Sequence, residues 1–154
     1  MASSTPYPTL CASIAANDAE RALEFYVRIF GAKERYRLID PESGRVGHAE
    51  LSLGDSVLMI ADEYPAYNKT PKTLGGTTAK LCLMVDDVDA TVKRATEAGA
   101  TVVMPPTDMF YGFRTAAVRD PFGHEWSLQR QFEEVSPEEM ARRWKESVES
   151  GKSE

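Results

Sequence analysis

His48 and Glu50 stand two residues apart in the alternating segment His48-Ala-Glu-Leu-Ser-Leu53. In a strand that spacing puts both side chains on one face. A carboxyl buried in an apolar cup has its pKa raised by desolvation and becomes a general base. The plainer reading of the pair is a half-exposed strand face or a cross-strand hydrogen bond. Lys80 opens the otherwise apolar run Lys-Leu-Cys-Leu-Met-Val85. Turned inward, its ammonium would stabilise a carboxylate, phosphonate or enolate oxygen; turned outward, it would snorkel to water. Glu50, His48 and Lys80 are therefore the candidate catalytic group. Ser127 and Gln129 share the face expected for Lys80 and Glu125, and they offer hydrogen bonds to a ligand. Tyr111 and Phe113, with Phe110, supply flat apolar surface of the kind that suits a planar small molecule. Trp126 and Phe122 read as core.

No local motif supports a Ser/His/Asp nucleophile, a phosphate loop or a zinc helix. The chain has two histidines, His48 and His124, and two cysteines, Cys11 and Cys82, with no CxxC. Both cysteines lie in apolar segments and read as buried free thiols. The net charge of −6 argues against nucleic acid and anionic membranes, which need clustered positive charge. No apolar run approaches the roughly 20 residues of a membrane span. The first residues lack a basic region followed by an apolar stretch, so a cytoplasmic location is expected.

The elements that must position these residues repeat. Residues 9–16 read as a buried strand. Asn17 and Glu20 resemble a capping box for a helix with Ala22, Phe25, Tyr26, Ile29 and Phe30 on one stripe, closed by Gly31. Strands follow at 34–39, 48–53 and 56–61. Residues 62–78, with Pro65, Pro71 and Gly75-Gly76, read as a linker and lid between halves. The same order then returns: a strand at 80–85, a helix from Asp86-Asp87 to Gly99, and strands at 101–104, 113–118 and 124–130. Pro105-Pro106 are expected to stop the first of these three. Aligning Asp18 with Asp87 sets Cys11 opposite Lys80, an offset of 69. Two copies of a four-stranded sheet with one outer helix are thereby specified, an α+β fold. The modules span 6–61 and 79–132. Ser136-Pro-Glu-Glu139 then starts a helix over 137–149, within a 133–154 tail, with Met140, Trp144 and Val148 on one stripe.

The segments Asp18–Tyr26, Phe30-Gly-Ala32, Arg45–Leu51, Gly54–Met59, Val85–Ala90, Ala98-Gly-Ala100 and Asp120-Pro-Phe-Gly-His-Glu-Trp-Ser-Leu128 resemble the vicinal oxygen chelate superfamily. That superfamily contains glyoxalase I, bleomycin- and fosfomycin-resistance proteins and extradiol dioxygenases. The PhnB-like branch is the most similar. The resemblance covers roughly residues 6–132. It implies paired βαβββ modules forming a cupped eight-stranded mixed sheet, and a homodimer. It also implies four strand positions that in metal-dependent relatives carry His or Glu. Here these are Cys11, Met59, Lys80 and Ser127. Such a set does not suit a hard divalent ion, so no metal and no other cofactor are expected, and these four become candidate ligand-binding residues. The implied function is binding of a small aromatic or acidic compound, of drug-binding or resistance type. The alternatives are a lyase or isomerase using Glu50 or His48 as base, and a metal-dependent dioxygenase or lyase with a displaced site.

Overall fold

The computed structural model describes residues 6–151; the end of the expected tail, 152–154, lies outside them. The first module runs β1 (Ala12–Ala16), α1 (Ala19–Phe30), β2 (Lys33–Ile39), β3 (Val46–Leu53) and β4 (Ser56–Asp62). A short helix α2 (Pro71–Leu74) interrupts the connection. The second module repeats the order with β5 (Lys80–Met84), α3 (Val88–Glu97), β6 (Thr101–Asp108), β7 (Phe113–Arg119) and β8 (Glu125–Gln131), and α4 (Pro137–Glu149) follows. The paired modules are those the repeat specifies. Their eight strands form two mixed four-stranded sheets, ordered β1-β4-β3-β2 and β5-β8-β7-β6. In each sheet the first and last strands pair in parallel and the other pairs are antiparallel.

Helix α1 starts at Asp18, not Asn17. The Asp18 side chain accepts the Arg21 N–H at 3.1 Å, and Gly31 ends the helix with a φ of 72°. An aspartate three residues ahead of that amide satisfies an orphan donor of the first turn, which displaces the boundary by one residue. Asp62 adds a second tie, accepting from the amides of Ala19 at 2.8 Å and Val46 at 2.7 Å. The apolar stripes of α1 and α3 and the inner sheet faces merge into one core shared by both modules. Its centre is aromatic: Tyr26 and Phe30 of α1 lie 5.1 and 4.6 Å, ring to ring, from Trp126 of β8. Asp120 binds the halves together from inside. Its carboxylate accepts from the Tyr26 hydroxyl at 2.5 Å, the Trp126 indole at 2.9 Å and the amides of Phe122 and His124. Four donors offset the cost of burying one carboxylate.

Strand β6 runs straight through Pro105-Pro106. It is the outermost strand of its sheet, and its pairing with β7 shifts register between Met104 and Thr107. A proline that lacks an N–H is tolerated at such an edge irregularity. The connection over 62–78 is largely exposed and is pinned to the body at one point. Thr70 and Pro71 are buried, Thr70 caps α2 by accepting from the Thr73 amide, and Pro71 lies against Gly123. The final helix begins as expected, with Ser136 accepting from the Glu139 amide. None of its residues is buried; Trp144 touches Phe110 at 5.9 Å yet stays half exposed. Among the described residues no helix is long and apolar enough to cross a membrane.

Candidate functional site

Each sheet has one face under its helix and one free of it. Alternation decides what each free face carries. On the first sheet the pairing puts Ser13, Met59, Glu50 and Tyr36 side by side in one row across four strands. On the second sheet the matching row is Cys82, Ser127, Ala117 and Met104. Ser13 therefore sits beside Met59, and Cys82 beside Ser127. Cys11 and Lys80, the other two positions implied by the resemblance, stand two residues earlier in the chain, Cys11 just ahead of β1 and Lys80 opening β5.

Glu50 is the most enclosed group on either free face, at 2% exposure. Its carboxylate accepts from the hydroxyls of Tyr7 at 2.8 Å and Tyr36 at 2.9 Å and from His48 Nε2 at 3.1 Å. The Arg35 guanidinium pairs with it at 3.2 Å and stacks 4.7 Å above the Tyr7 ring. Burial pushes the Glu50 carboxyl up, but hydrogen bonds from His48, Tyr7 and Tyr36 outweigh it and hold the group below the usual glutamate range. The raised pKa expected from an apolar cup is thus reversed. A carboxylate so saturated is a weak base, and Glu50 acts as an anchor. The same bond pushes the Tyr36 phenol up to about 12, because losing its proton would set two anions together. The His48 ring meets the Glu50 carboxylate through Nε2 and is itself about a third exposed, so Nδ1 is not engaged by Glu50.

Neither Arg35, Tyr36 nor Tyr7 was singled out in the sequence. Arg35 and Tyr36 are neighbours on β2 and should point to opposite faces. Both reach Glu50 because the β2–β3 register shifts between Glu34 and Tyr36. The visible signal was the mixed Glu-Arg-Tyr-Arg strand; the irregularity itself was not legible.

Lys80 is exposed, at the start of β5 beside Glu125, which pairs with Arg119 at 3.0 Å. Lys80 lies on the second sheet and Glu50 and His48 on the first, and no hydrogen bond or ion pair joins them within one chain among the described residues. Ser127 is buried, and Gln129 donates to it at 2.9 Å. Tyr111 donates to Thr115 at 3.3 Å and packs 5.9 Å from Phe113. Ser127, Gln129, Tyr111 and Phe113 thus gather on the second sheet, as an aromatic and hydroxyl surface. Trp126 is core, and His124 donates from Nε2 to the Ala15 carbonyl at 2.8 Å, tying β8 to β1. Cys82 is exposed and Cys11 half-buried, against the buried thiols expected. Cys82 projects from the helix-free face of an edge strand, where no layer covers it.

The family's hard divalent ion is not matched by these residues. Cys11, Met59, Lys80 and Ser127 include no imidazole or carboxylate, and Lys80 contributes a positive charge. Among the described residues no three His, Cys, Asp or Glu side chains gather.

A family model described as the Glyoxalase/Bleomycin resistance protein/Dioxygenase superfamily matches residues 10–128, both modules together. The chain belongs to that superfamily. An uncharacterised protein of Mycobacterium bovis is 40% identical over 137 residues, covering 86% of this chain and 90% of its own length. The crystal structure of TioX from Micromonospora sp. ML1 is 33% identical with a TM-score of 0.63, covering 80% of this chain and 98% of TioX. The fosfomycin resistance protein FosX from Mesorhizobium loti shares the fold at 19% identity and a TM-score of 0.61, over 88% of this chain and 98% of FosX.

Proposed function

We propose that this protein is a metal-free, cytoplasmic member of the superfamily that works as a homodimer. On this reading it binds a small aromatic or acidic compound between helix-free sheet faces. The observation that carries the proposal is the donor set at the four family positions: thiol, thioether, ammonium and hydroxyl suit an organic molecule better than a hard ion. The second sheet adds aromatic walls at Tyr111 and Phe113, hydrogen-bonding groups at Ser127 and Gln129, and the exposed cations Lys80 and Arg119 at one end. Within one chain these faces are open. A second chain laid against them would enclose a cup, and α4, with its unburied stripe, is placed to take part.

A lyase or isomerase reading is supported by one feature, the His48–Glu50 hydrogen bond. In that reading His48, one of the two bases expected, accepts the proton at Nδ1 and Glu50 orients the ring. The test is a thermal-shift screen of aromatic acids, phosphonates and glycopeptide drugs, followed by mass spectrometry of each hit. The binding reading expects a saturable rise in Tm with the compound recovered unchanged. A new product formed by wild type and lost in His48→Gln would replace binding with catalysis. Lys80→Met is expected to weaken acidic hits by about 1.5–3 kcal/mol, the worth of a charged hydrogen bond. Unchanged binding would remove Lys80 from the site.

A further inference from the structure

The two oxygens of Glu50 are held by different parts of the chain. Oε1 accepts from Tyr36 on β2 and His48 on β3, both built into the sheet. Oε2 pairs with Arg35 and accepts from Tyr7 at 2.8 Å. Tyr7 belongs to no strand or helix. It lies in Pro6-Tyr7-Pro8, ahead of β1, where the proline after it favours extended backbone. An exposed bend at Thr9 and Leu10 joins this stretch to the sheet. Tyr7 is 57% exposed, although the glutamate it meets is 2% exposed. The Arg35 guanidinium, 4.7 Å from the Tyr7 ring centroid, holds one face of that ring. Tyr7 is therefore a phenol resting on a site, where Tyr36 and His48 are part of the site.

Two groups of the site recognise a phenol. A carboxylate is acceptor-only and needs a partner that donates. A guanidinium is drawn to the electron-rich face of an aromatic ring. An anionic ligand would meet like charge at Glu50, and a plain hydrocarbon ring would leave Oε2 without its donor. With Tyr7 in place, the four partners Tyr7, Arg35, Tyr36 and His48 use the acceptor capacity of the carboxylate. A ligand therefore enters by exchange with the partner that is least tied down.

We infer that the first helix-free face is a phenol-binding site and that Tyr7 is its in-cis occupant, exchanged for a small neutral phenol by hinging at Thr9 and Leu10. This site presupposes the small-molecule reading above and narrows the ligand of this face from aromatic or acidic to phenolic. Exchange makes and breaks no covalent bond. One O–H···Oε2 hydrogen bond and one ring–guanidinium contact are traded for their equivalents. A phenol on a short tether competes at a millimolar effective concentration. It weakens a free phenol by the fraction of time that the site stands open, about tenfold for an open state populated to roughly a tenth.

The test uses the full-length chain and p-cresol, which is the tyrosine side chain cut free at Cβ. As a phenol with a pKa of roughly 10, it is neutral at pH 7. Tyr7→Ala is expected to have a lowered Tm that p-cresol restores, and to bind p-cresol about tenfold more tightly than wild type by calorimetry. Toluene, which lacks the hydroxyl, and 4-methylbenzoate, which carries a charge, are expected to restore nothing. Tyr7→Phe keeps the ring on Arg35 but loses the bond to Oε2, so its affinity for p-cresol should fall between the two. In wild type labelled with 3-fluorotyrosine, the fluorine resonance missing from Tyr7→Phe should move to the free-tyrosine position as p-cresol saturates. The phenol site is overturned if Tyr7→Ala binds p-cresol no more tightly than wild type, if toluene matches p-cresol, or if the Tyr7 resonance stays in place at saturation. The wider small-molecule reading is decided separately, by the compound screen on wild type: a hit there that is indifferent to Tyr7→Ala and is not a phenol sinks the phenol site alone.

Discussion

The two helix-free sheet faces share strand order and register but not chemistry. At the third position of the central row the first sheet holds Glu50 and the second holds Ala117. Around Glu50 the first face builds a closed electrostatic unit from Arg35, Tyr7, Tyr36 and His48. Immediately around Ala117 the second face carries small or uncharged groups, Ser127, Cys82 and Met104, with the charges of Lys80 and Arg119 only at one end. A duplicated backbone thus supplies equivalent positions, and side-chain choice makes one face rigid and charged and the other open and adaptable. A carboxylate bonded on every side has little left to offer a ligand. The second face keeps its hydrogen-bonding capacity in hydroxyl and amide groups.

The contrast breaks most sharply at Glu50 itself. Glu50→Ala leaves the Arg35 cation enclosed without its anion and is expected to cost about 3 kcal/mol, the low end for breaking a buried pair, since only the tyrosine rings separate it from water. Chemical denaturation measures this, and a change under about 1 kcal/mol, the worth of an exposed pair, would show that Arg35 simply swings out to solvent. The reverse experiment, Ala117→Glu, places a carboxylate on the second face with no cation built around it. The expected cost is about 1–3 kcal/mol at neutral pH.

The two carboxylates should also respond oppositely to acid. Wild-type Glu50 holds its proton more weakly in the folded chain than in the unfolded one. Its contribution is fully present above the usual glutamate range and drains away as pH falls through that range and below, because the unfolded chain protonates first. The Glu50→Gln profile should be flatter over the same acid window. The carboxylate introduced by Ala117→Glu, desolvated and unpaired, should do the reverse and recover stability as acid neutralises it. Parallel pH profiles for wild type and Ala117→Glu would refute the difference between the faces.

Turns give a smaller test. Gly112 of the second module has a φ of 86°, and an added Cβ would strike the Glu133 backbone; Gly44 of the first has a φ of 73° and open space. Gly112→Ala is expected to cost about 1–3 kcal/mol beyond the left-handed penalty that Gly44→Ala carries alone. Equal Tm losses would mean the segment over 132–135 yields freely. Smallest of all, Trp144→Ala should change monomer stability by less than about 1 kcal/mol, since α4 is attached by surface contacts. A clear loss of dimer in sedimentation velocity, with Tm hardly moved, would place α4 at the interface.

What the sequence determined by itself was the repeat and everything local to it. The 69-residue offset, the stripes of α1 and α3, the left-handed glycine after α1 and the Ser136 cap are written within a few neighbouring residues each, because period and capping are short-range physics. The parity of Lys80, Glu125, Ser127 and Gln129 was legible for the same reason. Tertiary structure decided the rest. Pro105-Pro106 survive inside β6 only because that strand became an edge, a fact of sheet order. Arg35 and Tyr36 meet at Glu50 through a register shift, and the donors gathered there turn its pKa down where burial alone would turn it up. Lys80 and Glu50 do not share a sheet, an outcome that depends on how two finished modules dock through Tyr26, Trp126 and Asp120. Local pattern fixes which face a residue takes; only long-range packing fixes what stands opposite that face, because the pairing energy comes from groups distant in sequence.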